Sequence, residues 1–174
     1  MIGTNVSKSL SPTIFNYWFY KYNVSGEYNY KEIKEEAFDE KIKILLKEEN
    51  LCGFNVTMPF KEKIIPHLTK TDEHAAKINA VNCVTIKANS FEGTNTDWIG
   101  FQNSLEAFEE KHSTNSSGIR EEKTKIGKNI AIVIGYGGSA RAIIHSLILK
   151  GYKKIKVFNR SFEKIKKTKY ISAH

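Results

Sequence analysis

The stretch Gly53-Phe54-Asn55-Val56-Thr57-Met58-Pro59-Phe60-Lys61-Glu62-Lys63 decides how this sequence is read. From Gly53 to Thr57 apolar residues alternate with polar ones, the two-residue period of a short strand. Pro59 suits the first turn of a following helix, because the N–H it lacks has no intrahelical partner there. The expected strand-to-helix turn presents Asn55, Thr57 and Lys61 near one edge. In a first helical turn the positive end of the peptide dipoles disfavours an ammonium ion. That makes the position of Lys61 a poor one for packing and a suitable one for proton chemistry. A solvated surface lysine satisfies the same pattern, so the flanking chain has to separate the two.

With 174 residues the chain has room for one ordinary domain or two small ones. Hydrophobic residues make up 40% and charged residues 26%, enough to bury a core and unlike a disordered tail. The formal net charge of +8 raises nucleic acid or anionic ligands as partners. The lysines are scattered among Ile, Asn and Tyr, however, and build no basic groove. The densest run, Lys150 to Lys169, reads as a strand and then a helix. Cys52 and Cys83 lack C-x-x-C spacing, which fits a reducing compartment. Neither a secretory leader nor a bilayer-spanning run is visible, so a cytoplasmic protein is expected, without membrane or nucleic-acid partners and without a metal site.

Met1-Ile2-Gly3 reads as the end of a strand whose beginning is absent. Val6 to Pro12 is a polar turn into a helix with Ile14, Phe15, Trp18, Phe19 and Tyr22 at helical spacing, an apolar stripe broken by Gly26. Tyr28 to Ile33 alternates as a strand, and Phe38, Ile42 and Leu45 mark a second amphipathic helix. Asp72 to Ile78 forms a short helix, a strand runs on through Ile86, and Asn89-Ser90 turns the chain back. After Asn95-Thr96-Asp97, residues Trp98, Phe101, Leu105 and Phe108 define a long helix. Alternating strands and helices predict an α/β fold with a mostly parallel sheet in this N-terminal half. Glu110 to Lys128 is rich in turn formers and charge, and reads as a linker. The expected boundaries are a substrate domain over 1–97, a connecting helix and linker over 98–128, and a partial nucleotide domain over 129–174.

In that last part Asn129 to Ile134 reads as a buried strand, followed by Gly135-Tyr136-Gly137-Gly138-Ser139-Ala140-Arg141 and a helix carrying Ile143, Ile144, Leu147 and Ile148. A glycine-rich turn between strand and helix is the setting of a dinucleotide site. Glycines let the backbone approach a pyrophosphate, and free N–H groups at the helix start bind its charge. Lys154 to Phe158 forms the next strand, and a lysine-rich helix follows Ser161. Where NAD-binding units commonly place an acidic residue, this chain has Asn159-Arg160-Ser161. A guanidinium pairs with phosphate oxygens, so NADP is expected over NAD.

Taken together these segments resemble the shikimate dehydrogenase family over nearly the whole chain. Ser9-Leu10-Ser11-Pro12 is similar to the family's serine pair, and the resemblance implies that Ser9 and Ser11 bind the substrate carboxylate. Asn55-Val56-Thr57-x-Pro59-x-Lys61 matches its central motif, with Thr57 contacting substrate and Lys61 catalytic. Ala80-Val81-Asn82 and Asn95-Thr96-Asp97 match two more segments, which places Asn82 and Asp97 on the substrate hydroxyls and makes Asp97 a second catalytic group. Gly135, Gly137, Gly138 and Ser139 resemble the family's phosphate loop, and Asn159, Arg160 and Ser161 its 2′-phosphate clamp.

The implied fold pairs the substrate domain with an incomplete Rossmann-type NADP domain. The implied reaction is the NADPH-dependent, reversible reduction of 3-dehydroshikimate to shikimate in chorismate and aromatic amino acid biosynthesis. Quinate/shikimate dehydrogenase activity of broader specificity, or an inactive substrate- or nucleotide-binding fragment, are the alternatives, and a homodimer is compatible. Departures are Lys8 in place of a frequent histidine, Asn79 in place of glycine, Cys83 in place of threonine, and a longer, more polar linker. The chain also has no counterpart for the family's later strands or its C-terminal helix with a substrate-binding glutamine.

Overall fold

Phe38, Ile42 and Leu45 stand at helical spacing, and in the computed structural model they form the buried side of a helix, Phe38–Leu45. The structure describes residues 1–88, 90–112, 130–161 and 172–173. It divides into two units, one of Met1–Ala76 with Ala80–Thr94, the other of Lys77–Asn79 with Asn95–His174.

In the first unit, β1 (Ile2–Gly3) pairs in parallel with β2 (Lys31–Glu32). A second sheet takes β3 (Gly53–Asn55), β4 (Lys70–Thr71), β5 (Cys83–Lys87) and β6 (Ser90–Thr94) in the order β3-β5-β6-β4. Its β3/β5 and β5/β6 pairings are antiparallel and only β4/β6 is parallel. The mostly parallel sheet expected for this half is therefore corrected to a mixed one. The cause is local: residues 88 and 89 alone join β5 to β6, and so short a connection can join only antiparallel strands. Val56 extends β3 through a parallel bridge to Ile2, which ties the two small sheets together.

The unit also holds helices α1 (Ser11–Lys21), α2 (Phe38–Leu45) and α3 (Phe60–Lys63), with the first four residues of α4 (Glu73–Ile78). The core gathers Ile2, Phe38, Ile42, Phe54, Val56 and Phe60, with the rings of Phe38 and Phe60 stacked 4.3 Å apart. Two expectations change here. Helix α1 forms where expected but buries none of its residues, and Ile14 and Trp18 of the apolar stripe are exposed, as is Tyr22 just beyond its end. The strand expected over Tyr28 to Ile33 shrinks to β2. Asn16 captures the main chain of Tyr28 instead: its Nδ2 donates to Tyr28 O (2.9 Å) and its Oδ1 accepts from Tyr28 N (2.8 Å). Backbone groups satisfied this way are withdrawn from a ladder.

In the second unit, α5 (Asp97–His112) precedes β7 (Ile130–Ile134), α6 (Gly138–Leu149), β8 (Lys154–Phe158) and β9 (Ser172–Ala173). The three strands lie parallel in the order β7-β8-β9. Lys150, just past α6, reaches Glu106 (3.3 Å) and Glu109 (3.0 Å) of α5 with a side chain only 9% exposed, and so clamps the two helices. The ring of Trp98 stands edge-on to His145 at 5.8 Å. β7 lies where expected but is not buried throughout: Val133 packs inward, while Ile130, Ile132 and Ile134 are 55%, 64% and 86% exposed. Alternate residues share a face, and α6 covers only the other one. An open groove of about 450 Å³ follows β7, bounded by Phe101 and Leu105 of α5 and Ile143 and Leu147 of α6.

The lysine-rich helix expected after Ser161 and most of the expected linker lie outside the described residues. Among the described residues no helix is long and apolar enough to cross a membrane.

Candidate functional site

The first unit holds five of the sequence-predicted residues: Ser9 and Ser11 in the turn that follows β1, and Thr57, Lys61 and Asn82 on segments joined by backbone hydrogen bonds. Ser9 and Ser11 are coupled directly: Ser9 Oγ lies 3.1 Å from Ser11 Oγ and accepts from Ser11 N at 3.2 Å. The turn before them closes with Ser9 N donating to Val6 O (3.0 Å), and Ser11 opens α1. Thr57 N donates to Ile2 O (3.0 Å), which docks the central motif on β1. The close approach explains Gly3, where a Cβ would meet Thr57 Cγ2 and Val6 Cγ1, each at 2.6 Å.

Lys61 and Asn82 are held through the same network. Val81 N donates to Lys61 O at 2.7 Å, and Val56 N donates to Asn82 O at 2.8 Å. Both residues are half-buried. The helix beneath Lys61 is a single turn, Phe60–Lys63, with Pro59 preceding it as the cap after a cis Met58–Pro59 bond. Pro59 was expected inside the first turn. So short a helix aligns few peptide dipoles, and the dipole argument for Lys61 loses most of its weight.

Asn79, where the resembling motif carries glycine, has φ of 54°. Asparagine is among the few residues that tolerate this left-handed conformation, so the turn survives the substitution.

The second unit places Asp97 at the start of α5, its N–H donating to the Oδ1 of buried Asn95 at 3.0 Å. An acidic residue there suits the helix dipole. Ser139 Oγ of the glycine-rich loop stands 3.5 Å from Asp97 Oδ2, so one unit carries the acid beside that loop. Gly135 adopts φ of 100°, and among the described residues, chain neighbours aside, no atom lies within 4 Å of a Cβ built on Gly135 or Gly137. Gly135 N donates to Phe158 O at 2.7 Å, which brings the loop beside the end of β8. Asn159 Nδ2 bonds Ser161 O there (2.9 Å), and Arg160 and Ser161 are exposed. An open glycine cradle, a three-turn helix start without acidic residues and an exposed arginine fit the pyrophosphate and 2′-phosphate of a dinucleotide.

Residues 1–84 match the family model of the shikimate dehydrogenase substrate binding domain. Along 166 residues the chain is 36% identical to the NADP(+) shikimate dehydrogenase of Thermotoga maritima, covering 95% of this chain and 56% of that one. The chain belongs to the shikimate dehydrogenase family. A crystal structure of the shikimate dehydrogenase from Aquifex aeolicus superposes with a TM-score of 0.81 at 31% identity, covering 99% of this chain and 59% of that one. The Thermus thermophilus shikimate dehydrogenase, in complex with NADP(H) and shikimate, gives 0.73 at 27% identity, covering 93% and 55%. The chain thus spans a little over half the length of these shikimate dehydrogenases.

Sequence reasoning missed three residues that brace the motifs of this family member. Tyr28 Oη donates to Asn55 Oδ1 at 2.6 Å, and Asn55 Nδ2 donates to Asn82 O at 3.2 Å. Burial, and secondly the neighbouring Cys83 sulfur, push the Tyr28 phenol up to about 12, so it stays a donor throughout the physiological range. Arg141 Nη2 bonds Asn79 O at 2.8 Å within the second unit. Glu32 accepts from Val6 N and Ser7 N. Only Arg141 left a trace in the sequence, as the last residue of the glycine-rich stretch; the contacts of Tyr28 and Glu32 span 25 to 27 positions and follow no local pattern.

Proposed function

We propose that this chain carries the substrate and nucleotide-phosphate half-sites of an NADPH-dependent shikimate dehydrogenase, which reversibly reduces 3-dehydroshikimate to shikimate. The observation that carries the proposal is the backbone network that joins the segments of Thr57, Lys61 and Asn82 to one another and to β1, the strand that leads into the coupled Ser9–Ser11 pair. Ser9 and Ser11 bind the carboxylate through their hydroxyls, and Thr57, Asn82 and Asp97 bind the ring hydroxyls. Gly135, Gly137, Gly138 and Ser139 hold the pyrophosphate, and Asn159, Arg160 and Ser161 hold the 2′-phosphate. NADPH, when bound, supplies the hydride to the carbonyl carbon. Lys61 exchanges a proton with the carbonyl oxygen, and Asp97, the second catalytic group, orients that oxygen. The serines and Asn82 fix the ring's position, and placement of this kind supplies much of an enzymatic rate.

Lys61→Ala tests the assignment, because the main chain of Lys61 stays anchored on Val81. Turnover of 3-dehydroshikimate, followed by NADPH absorbance, is expected to fall about 10²–10⁴-fold with NADPH binding unchanged. A variant retaining most of its kcat removes Lys61 from the reaction. A second reading, binding without turnover, is favoured by the outward apolar face of β7. Calorimetry showing shikimate binding to the 174-residue chain without any NADPH oxidation selects it.

A further inference from the structure

Glu32 is paired through its backbone with Gly3 in the β1/β2 ladder, and its side chain reaches past that ladder to the turn beyond β1. Its Oε1 accepts from two successive amides, Val6 N at 3.0 Å and Ser7 N at 2.9 Å. Successive N–H groups in a turn form a small anion-binding concavity, and here the protein's own carboxylate fills it. Hydrogen bonds from the Ser7 side chain and then the Ser7 amide hold the Glu32 carboxyl below the usual glutamate range against desolvation, with a lesser contribution from the Val6 amide. The turn pinned in this way continues without interruption to the serine pair. Val6 O accepts from Ser9 N, and Ser9 Oγ contacts both the hydroxyl and the amide of Ser11. Val6 is buried, which fixes the near end of the turn, whereas Ser7 and Lys8 are exposed.

We propose that Glu32 is a positioning residue for carboxylate recognition: it locks the Val6–Ser7 amides and so presets the two hydroxyls of Ser9 and Ser11. The inference rests on the reading of that pair as the carboxylate site. Because the two amides are already engaged by Glu32, the incoming carboxylate is left to the serine hydroxyls, and their preset spacing becomes the selective element. Preorganisation of this kind raises affinity by sparing the ligand the cost of ordering a loop.

The test compares calorimetric binding of shikimate and of its uncharged methyl ester to the 174-residue chain and to Glu32→Ala, Glu32→Asp and Glu32→Gln, with thermal unfolding of each. The wild-type chain is expected to prefer shikimate over the ester. Glu32→Ala is expected to lose about tenfold in shikimate affinity while ester affinity stays within twofold, a selective loss that general unfolding does not produce. Glu32→Gln keeps an oxygen acceptor at the same reach and restores most of the affinity. Glu32→Asp keeps the charge but is one methylene short, and does not restore it; it also serves if the alanine variant fails to fold. Shikimate affinity in Glu32→Ala and Glu32→Asp equal to or above wild type overturns the positioning role and leaves the substrate reading standing. A wild-type chain that does not distinguish shikimate from its ester overturns the carboxylate reading of the serine pair, and the role of Glu32 with it.

Discussion

β3 with its bridging neighbour Val56, and β7, are both short runs with buried-strand character, yet they end in opposite surroundings. Phe54 and Val56 are 6% and 2% exposed, whereas Ile132 and Ile134 are 64% and 86% exposed. The difference is not apolar content, for β7 is the more apolar of the two. It is the number of covered faces. In the first unit α2 and α3 bring Phe38, Ile42 and Phe60 onto the strands, and β5 closes the edge of β3. In the second unit α6 covers one face of β7, and among the described residues only β8 pairs with it. Burial is thus a property of the neighbours a strand acquires, and apolar sequence only makes it affordable.

That contrast can be broken most severely at Phe60, fully buried and stacked on Phe38. Phe60→Ala is expected to cost about 3–5 kcal/mol, seen by hydrogen exchange as lost protection in β3 and β5 with the β7–β8 amides unaffected. Equal loss in both units would show that they unfold as one. Gly3→Ala comes next, since its Cβ would press on two β-branched side chains at 2.6 Å. Overpacking of this kind typically costs about 1–3 kcal/mol, and shikimate affinity should fall as Thr57 is displaced. A urea midpoint unchanged from wild type would mean that β1 yields more readily than its packing indicates.

Lys150→Ala is expected to cost the second unit about 1–2 kcal/mol, because it leaves Glu106 and Glu109 facing each other without their cation. pH sharpens the same comparison from both ends. Burial pushes the Lys150 ammonium down, but the two glutamates overrule it and the net shift is upward. Its support for the α5–α6 clamp is therefore complete below the ordinary lysine value and is lost as pH rises through the raised one. Glu32, held below the usual range, acts in the opposite sense: its support is present above the ordinary glutamate value and is lost as pH falls through the lowered one. Residue-resolved exchange should loosen the Val6–Ser9 turn first in acid and α5–α6 first in alkali. The reverse order would refute both assignments. The smallest effect is expected at Ile134→Ser, within about 0.5 kcal/mol of wild type, with less light scattering on concentration. A large destabilisation there would mean that the outer face of β7 is packed in solution.

Much of this arrangement was legible in the chain. The β7-α6-β8 unit announced itself through Gly135 to Gly138 between two apolar runs, because a turn demanding φ of 100° leaves a strong compositional mark. α2 was equally plain, its three buried residues one helical turn apart. The strand polarity of the first unit was harder, since alternation of strands and helices is a statistical guide to parallel sheets and a two-residue hairpin overrides it. β2 was overestimated because a side chain elsewhere, Asn16, claims the backbone of Tyr28. The site motifs were readable one by one. Their bracing by Glu32 and Tyr28 was not, because it depends on a chain reversal that no local period encodes.

The chain's two tryptophans fall one to each unit: Trp18 on the surface of α1, and Trp98 beside Asp97 with its ring edge-on to His145. The protein therefore carries its own pair of optical labels. A water-soluble quencher should reach the indole of Trp18 with little hindrance and that of Trp98 less. Replacing either ring with phenylalanine would leave a single emitter, and with it a fluorescence channel for one half of the molecule at a time.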